Sequence, residues 1–195
     1  SLKFYKMAME AGNPEACYKY GFIYEYESEE VLNKFQQKYN KMKQKQPESA
    51  YKYGVYLLLK KVIKQREFDE VIKIAFKAGD SKAMVLYGDL VSQCEVRSFS
   101  KEYNAAQYYK MAADKGDAEG MYKFADILPK YGVRKFKYAK QAADNGNEDA
   151  MIWYSLMLYS INKKESMKYY EMAFKKGSNK AKYSYSFFKK VGFDS

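Results

Sequence analysis

Histidine is absent from all 195 residues. That removes the commonest general base, the usual imidazole metal ligand and every Ser-His or Cys-His nucleophile pair. Arginine is almost absent too: Arg66, Arg97 and Arg134 are the only three, so a net charge of +11 is nearly all lysine. Planar, bidentate reading of phosphates and guanines favours Arg, so a Lys-dominated surface implies diffuse attraction instead. The two cysteines, Cys17 and Cys94, lie far apart and follow no metal spacing. They make no disulfide framework and favour a reducing compartment, so we expect a cytoplasmic protein. Three prolines and 11 glycines leave no room for a Pro/Gly-rich linker. The longest nearly apolar stretch, Met151 to Ile161, is broken by Ser155 and Ser160. It falls short of the roughly 20 residues that span a bilayer.

Gly-rich phosphate loops are missing. The densest acidic cluster, Glu25, Glu27, Glu29 and Glu30, lacks the alternating oxygen ligands and central Gly of a calcium loop. No combination of residues meets the requirements of a catalytic site. We therefore expect no enzyme, no catalytic residue, no metal and no cofactor.

What the chain does have is a recurring phrase. Gly, two or three polar residues and a small residue follow an apolar helix end at Gly12-Asn13-Pro14-Glu15-Ala16, Gly79-Asp80-Ser81-Lys82-Ala83, Gly116-Asp117-Ala118-Glu119-Gly120, Gly146-Asn147-Glu148-Asp149-Ala150 and Gly177-Ser178-Asn179-Lys180-Ala181. A degenerate copy has Gln46 in the Gly place. From 12 to 46, 79, 116, 146 and 177 the steps are 34, 33, 37, 30 and 31. A period in this range means stacked supersecondary units.

Counting from each anchor, a small residue stands four places on (Ala16, Ala50, Ala83, Gly120, Ala150, Ala181). Eight on stands an aromatic one (Tyr20, Tyr87, Phe124, Tyr154, Tyr185), with Gly54 the exception, and nine on a mostly small one, including Gly21 and Gly88. Places 4, 8 and 12 share one helical face. Asp80, Asp117, Asn147 and Ser178 suit the N-cap region of this first helix, and Pro14 and Pro47 its first turn. A second helix precedes each anchor, with aromatic or branched bulk eight and seven places before it and Ala four before. Its closing Gly supplies a left-handed C-terminus. No segment alternates with period 2, so we expect no strands.

Ala16-x3-Tyr20-Gly21-x2-Tyr24, with Ala105-Ala106-Gln107-Tyr108-Tyr109-Lys110-Met111-Ala112-Ala113-Asp114-Lys115-Gly116, resembles the Sel1-like repeat, a relative of the tetratricopeptide repeat. The resemblance covers essentially the whole chain. It implies an all-α fold: an α-solenoid of antiparallel helix pairs in a right-handed superhelix, one array over residues 1–195. Ser1 in place of Met and the half-repeat from Phe4 to Ala11 lead us to expect a fragment of a longer array. The family's members are non-enzymatic scaffolds and adaptors, which implies a protein partner.

If the stack curves as tetratricopeptide arrays do, the first helices line a concave groove. Its exposed places are six and ten past each anchor, giving Tyr18, Phe22, Tyr56, Asp89, Tyr122, Asp126, Ile152, Leu156, Tyr183 and Phe187 as candidates for holding a partner segment. Equally, these side chains pack between repeats as core. On the second helices, places nine and six before the anchor carry Lys73, Lys110, Lys137, Lys140 and Lys168, broken by Glu70 and Glu171. This convex ridge either keeps the array soluble or docks on an anionic surface: acidic protein tails such as those of tubulin, lipid, or RNA. Without Arg clusters or a nucleic-acid motif, nucleic acid ranks last.

Overall fold

A computed structural model describes residues 2–23, 28–93, 104–129 and 132–182. Among them are eleven helices and no strand: α1 (Leu2–Glu10), α2 (Pro14–Ile23), α3 (Glu29–Lys45), α4 (Pro47–Leu59), α5 (Gln65–Lys77), α6 (Ser81–Ser92), α7 (Ala105–Asp114), α8 (Ala118–Ile127), α9 (Val133–Asp144), α10 (Glu148–Leu158) and α11 (Lys163–Lys175). The chain divides into two compact units, Ser1–Tyr108 and Tyr109–Ser195. In the first, α1 packs on α2, α3 on α4, α4 on α5, and α2 directly on α4. In the second, α8 packs on α9, α9 on α10, and α10 on α11.

The repeated phrase folds as one compound turn. Each anchor glycine, Gly12, Gly79, Gly116, Gly146 and Gly177, has φ between 80° and 95°, a region that only a residue without Cβ enters freely. The residue after it donates its backbone N–H to the Ala four places before the glycine: Asp80 to Ala75 at 3.0 Å, Asp117 to Ala112 at 3.1 Å, Asn147 to Ala142 at 3.0 Å. The same residue then caps the next helix. Asp80 accepts from the N–H groups of Lys82 and Ala83, Asp117 from Gly120, Asn147 from Ala150, and Asn13 from Ala16. One residue thus closes a helix with its backbone and opens the next with its side chain, satisfying orphan groups on both.

The Gln46 copy turns differently. Gln46 has φ −146° and ends α3 while preceding Pro47 at the first position of α4. After α4 the glycine-type turn returns with Lys61 in the left-handed place at φ 58°. Val62 donates to the Leu57 carbonyl at 2.8 Å there. A left-handed residue with a Cβ costs about 1–2 kcal/mol, part of which is returned through glycine's floppier unfolded state. Lys61→Gly should therefore stabilise the protein by about 0.5–1 kcal/mol, read as a higher midpoint in thermal denaturation.

The small places exist for close helix approach. A Cβ on Gly21 would meet Leu59 Cδ1 at 2.8 Å, and one on Gly120 would meet Ala112 Cβ at 2.6 Å. Gly88 is buried in α6. Gly54, where an aromatic is expected, is roofed by Tyr39 and Phe68, whose rings would lie 3.0 and 3.1 Å from an added Cβ. Their rings fill the space that its missing side chain leaves.

The aromatic places meet one another. Eight past one anchor contacts eight before the next, edge to face, in three successive pairs: Tyr87 on Tyr108 (centroids 5.0 Å, planes 73°), Phe124 on Tyr138 (4.9 Å, 89°) and Tyr154 on Tyr169 (4.8 Å, 88°). Such geometry sets the positive ring edge against a negative ring face.

Candidate interaction faces

The structure disperses the expected groove residues. Tyr18 and Tyr56, 6% and 0% exposed, are core in the first unit, which corrects their assignment to a groove. The cause is α2 packing on α4, which closes the face they occupy. Tyr56 sits against Phe35 (4.9 Å) and Tyr20 (6.3 Å). Asp89 is half-buried on α6. Tyr183, Phe187 and the side chain of Phe22 lie outside the described residues, as do Glu25, Glu27, Cys94 and Arg97.

In the second unit four of the candidates lie on its first helices, α8 and α10. Tyr122 and Ile152 are half-buried against the core formed by Met121, Ala125, Met151 and Tyr154. Leu156 is 51% exposed, Ile127 on α8 is 47% exposed, and Asp126 is exposed. Trp153, which the six-and-ten rule passes over, joins the two helices: its ring meets Tyr122 edge to face at 6.0 Å. Lys135 is the other residue the sequence reading missed. It is only 7% exposed, donates to the carbonyls of Asp126 (3.1 Å) and Leu128 (2.9 Å) at the end of α8, and stands 4.7 Å over Trp153. Trp153 carries a signal in being the sole tryptophan; one more lysine in a lysine-rich helix carries none.

Burial, then the charges of Asp149, Asp126 and Glu119, raise the Tyr122 hydroxyl above its ordinary pKa. Two of those acids are engaged: Asp149 pairs with Lys180 at 2.7 Å, and Glu119 with Asn147 at 2.6 Å and Lys123 at 3.6 Å. This face is therefore an aromatic and aliphatic patch on which Asp126 is the carboxylate, of these three, without an ion pair among the described residues.

All five ridge lysines are exposed, yet the ridge is partly neutralised. Lys110 pairs with Asp114 at 2.6 Å and Lys140 with Asp144 at 2.7 Å, each one turn along the same helix. Asp144 also accepts from the Tyr169 hydroxyl at 2.6 Å. Hydrogen bonds to Asp144 and Tyr169 outweigh desolvation and hold the Lys140 pKa above its usual value. Cys17 is inert: burial pushes its thiol up to about 12, and the thiolate is the reactive form.

Among the described residues, no group of three or more His, Cys, Asp or Glu is placed to hold a metal. No helix of theirs is long and apolar enough to cross a membrane. No family model and no curated protein matches the sequence. Solved structures do match. A Sel1 repeat protein from Oxalobacter formigenes superposes with TM-score 0.62 at 17% identity, over 98% of this chain and 60% of its own. A protective antigen present in uropathogenic Escherichia coli strains, displaying an SLR fold, gives 0.58 at 18% identity over 92% of this chain and 42% of its own. The chain thus has the Sel1-like repeat fold and spans about half the length of these structures.

Proposed function

We propose that this protein is a non-enzymatic interaction scaffold that holds a segment of a protein partner on the first-helix face of its second unit. Tyr122, Ile152, Trp153 and Leu156 supply the apolar contact, and Asp126 the charge that orients the partner. The observation carrying the reading is the half-buried Tyr122–Trp153 pair that joins α8 to α10, with Leu156, 51% exposed, three residues on from Trp153, since interface anchors are aromatic and aliphatic groups rimmed by polar ones. Docking through the lysine ridge is the weaker reading, because two of its five charges are spent on neighbouring aspartates.

The test is a peptide-display selection on the immobilised full chain, followed by affinity measurement with the enriched peptides. Leu156→Asp, an exposed substitution that leaves the core intact, should weaken binding by at least about tenfold. Lys137→Glu with Lys168→Glu should leave affinity within about twofold and act mainly on the association rate. The reverse pattern, with binding lost in 0.5 M salt (about a 4 Å screening length), would assign function to the ridge.

A further inference from the structure

We propose that the edge of the second unit where α9 and α11 begin docks on an anionic phospholipid surface. Val133 and Ile161 enter the headgroup layer, and Arg134, Lys163 and Lys164 meet the lipid phosphates. The two helices start on one edge. Near the start of α9, Phe136 packs on Tyr154 of α10 at 5.7 Å. Near the start of α11, Ser166 donates to the Ser155 carbonyl at 2.7 Å. Both helices therefore begin beside the same turn of α10. The surface is neither the α8 and α10 face nor the second-helix ridge, whose Lys137 lies farther along α9.

Equivalent places in other repeats make these two side chains unusual. Sixteen before the anchor, Ile63 is 7% exposed, whereas Ile161 in the same place is 69% exposed. Thirteen before, the exposed place holds Arg66 and Lys164, but in α9 it holds Val133, 86% exposed. Single exposed aliphatics are ordinary; these two project from neighbouring helix starts, and cations follow each at once in the chain. Arg134, Lys163 and Lys164 are all exposed, and none makes an ion pair among the described residues. They occupy first turns, where the helix dipole disfavours cations, so they do not serve the helices that carry them. Two acids lie nearby. Glu165 is half-buried and accepts from the Asn162 amide at 3.3 Å, and Asp126 is exposed at the end of α8. With Lys137 the cations number four, so the edge stays positive. A lipid interface takes apolar side chains between its headgroups and attracts cations to its phosphates. An RNA backbone offers Val133 and Ile161 nothing, and two separate projecting side chains make no groove for an acidic peptide.

The experiment sediments the full chain with vesicles of phosphatidylcholine alone, or with about one third phosphatidylserine. Binding should saturate on the anionic vesicles and be absent from the neutral ones. Val133→Asp with Ile161→Asp should weaken it by about tenfold or more, and so should Lys163→Glu with Lys164→Glu. Lys115→Glu with Lys175→Glu makes the same charge change beside the glycine turns and should stay within about twofold, being screened from the docked edge. Circular dichroism of every variant should match the parent, because the substituted side chains are exposed. No sedimentation at about 1 mM anionic lipid overturns the proposal. Unchanged binding by the aspartate pair overturns it too, as does an equal loss in the glycine-turn pair, which would make the attraction one of net charge. Tighter binding to polyuridine than to the vesicles, indifferent to the aspartate pair, also overturns it and makes nucleic acid the occupant.

Discussion

Tyr154→Ala should destabilise the second unit by about 3–5 kcal/mol, the cost of emptying a large aromatic site in a packed core. Tyr154 is 5% exposed and joins two rings from neighbouring second helices: Phe136 at 5.7 Å and 76°, Tyr169 at 4.8 Å and 88°. Each such pair contributes about 0.5–1.5 kcal/mol beyond its area, so truncation removes the linker between α9 and α11 as well as volume. Tyr154→Phe keeps both ring contacts and should stay within about 0.5 kcal/mol of the parent. Urea denaturation followed by far-ultraviolet circular dichroism measures both. Equal losses from the two variants would mean that the hydroxyl, not the ring ladder, stabilises this repeat.

That ladder was only half legible. Aromatics eight past and eight before the anchors are plain in the sequence, but their contact depends on the stagger between helices of successive repeats, which no single helix encodes. Turns were more readable, since the glycine at φ near 85° and the Asp or Asn after it act on backbone groups within five residues. Periodicity assigned Tyr18 and Tyr56 to the right helix face and the wrong environment. It reports which residues share a face and is silent on what lies opposite; α4 lies opposite α2. The neutralisation of Lys110 and Lys140 was available in principle. An Asp follows each four residues later, at the spacing that brings opposite charges together on a helix.

Lys135→Met should cost about 1–3 kcal/mol, although it keeps the stem's packing, because it takes the donor from two part-buried carbonyls, a loss of about 1 kcal/mol or more apiece before water replaces it, and removes a cation from an indole face. The end of a helix leaves carbonyls without partners and a partial negative charge, and a lysine from the next element answers both needs. The device recurs. Lys38 donates to the carbonyl of Glu10, the last residue of α1, at 2.8 Å, Lys60 to Gly21 in α2 at 3.0 Å, and Lys176 to Gly146 past α9 at 3.2 Å. Part of the chain's lysine excess is therefore structural, spent on helix C-termini between neighbouring elements and not on a partner's surface. Lys135 is the most buried of the four, so its loss should be the costliest. Trp153, the only tryptophan, lies 4.7 Å from the ammonium and reports the site directly. Lys135→Met should shift its emission under native conditions and lower the denaturation midpoint, whereas Lys60→Met in the other unit should leave the emission unchanged. A Lys135→Met protein with the parent's stability would show that water replaces the ammonium on those carbonyls without loss.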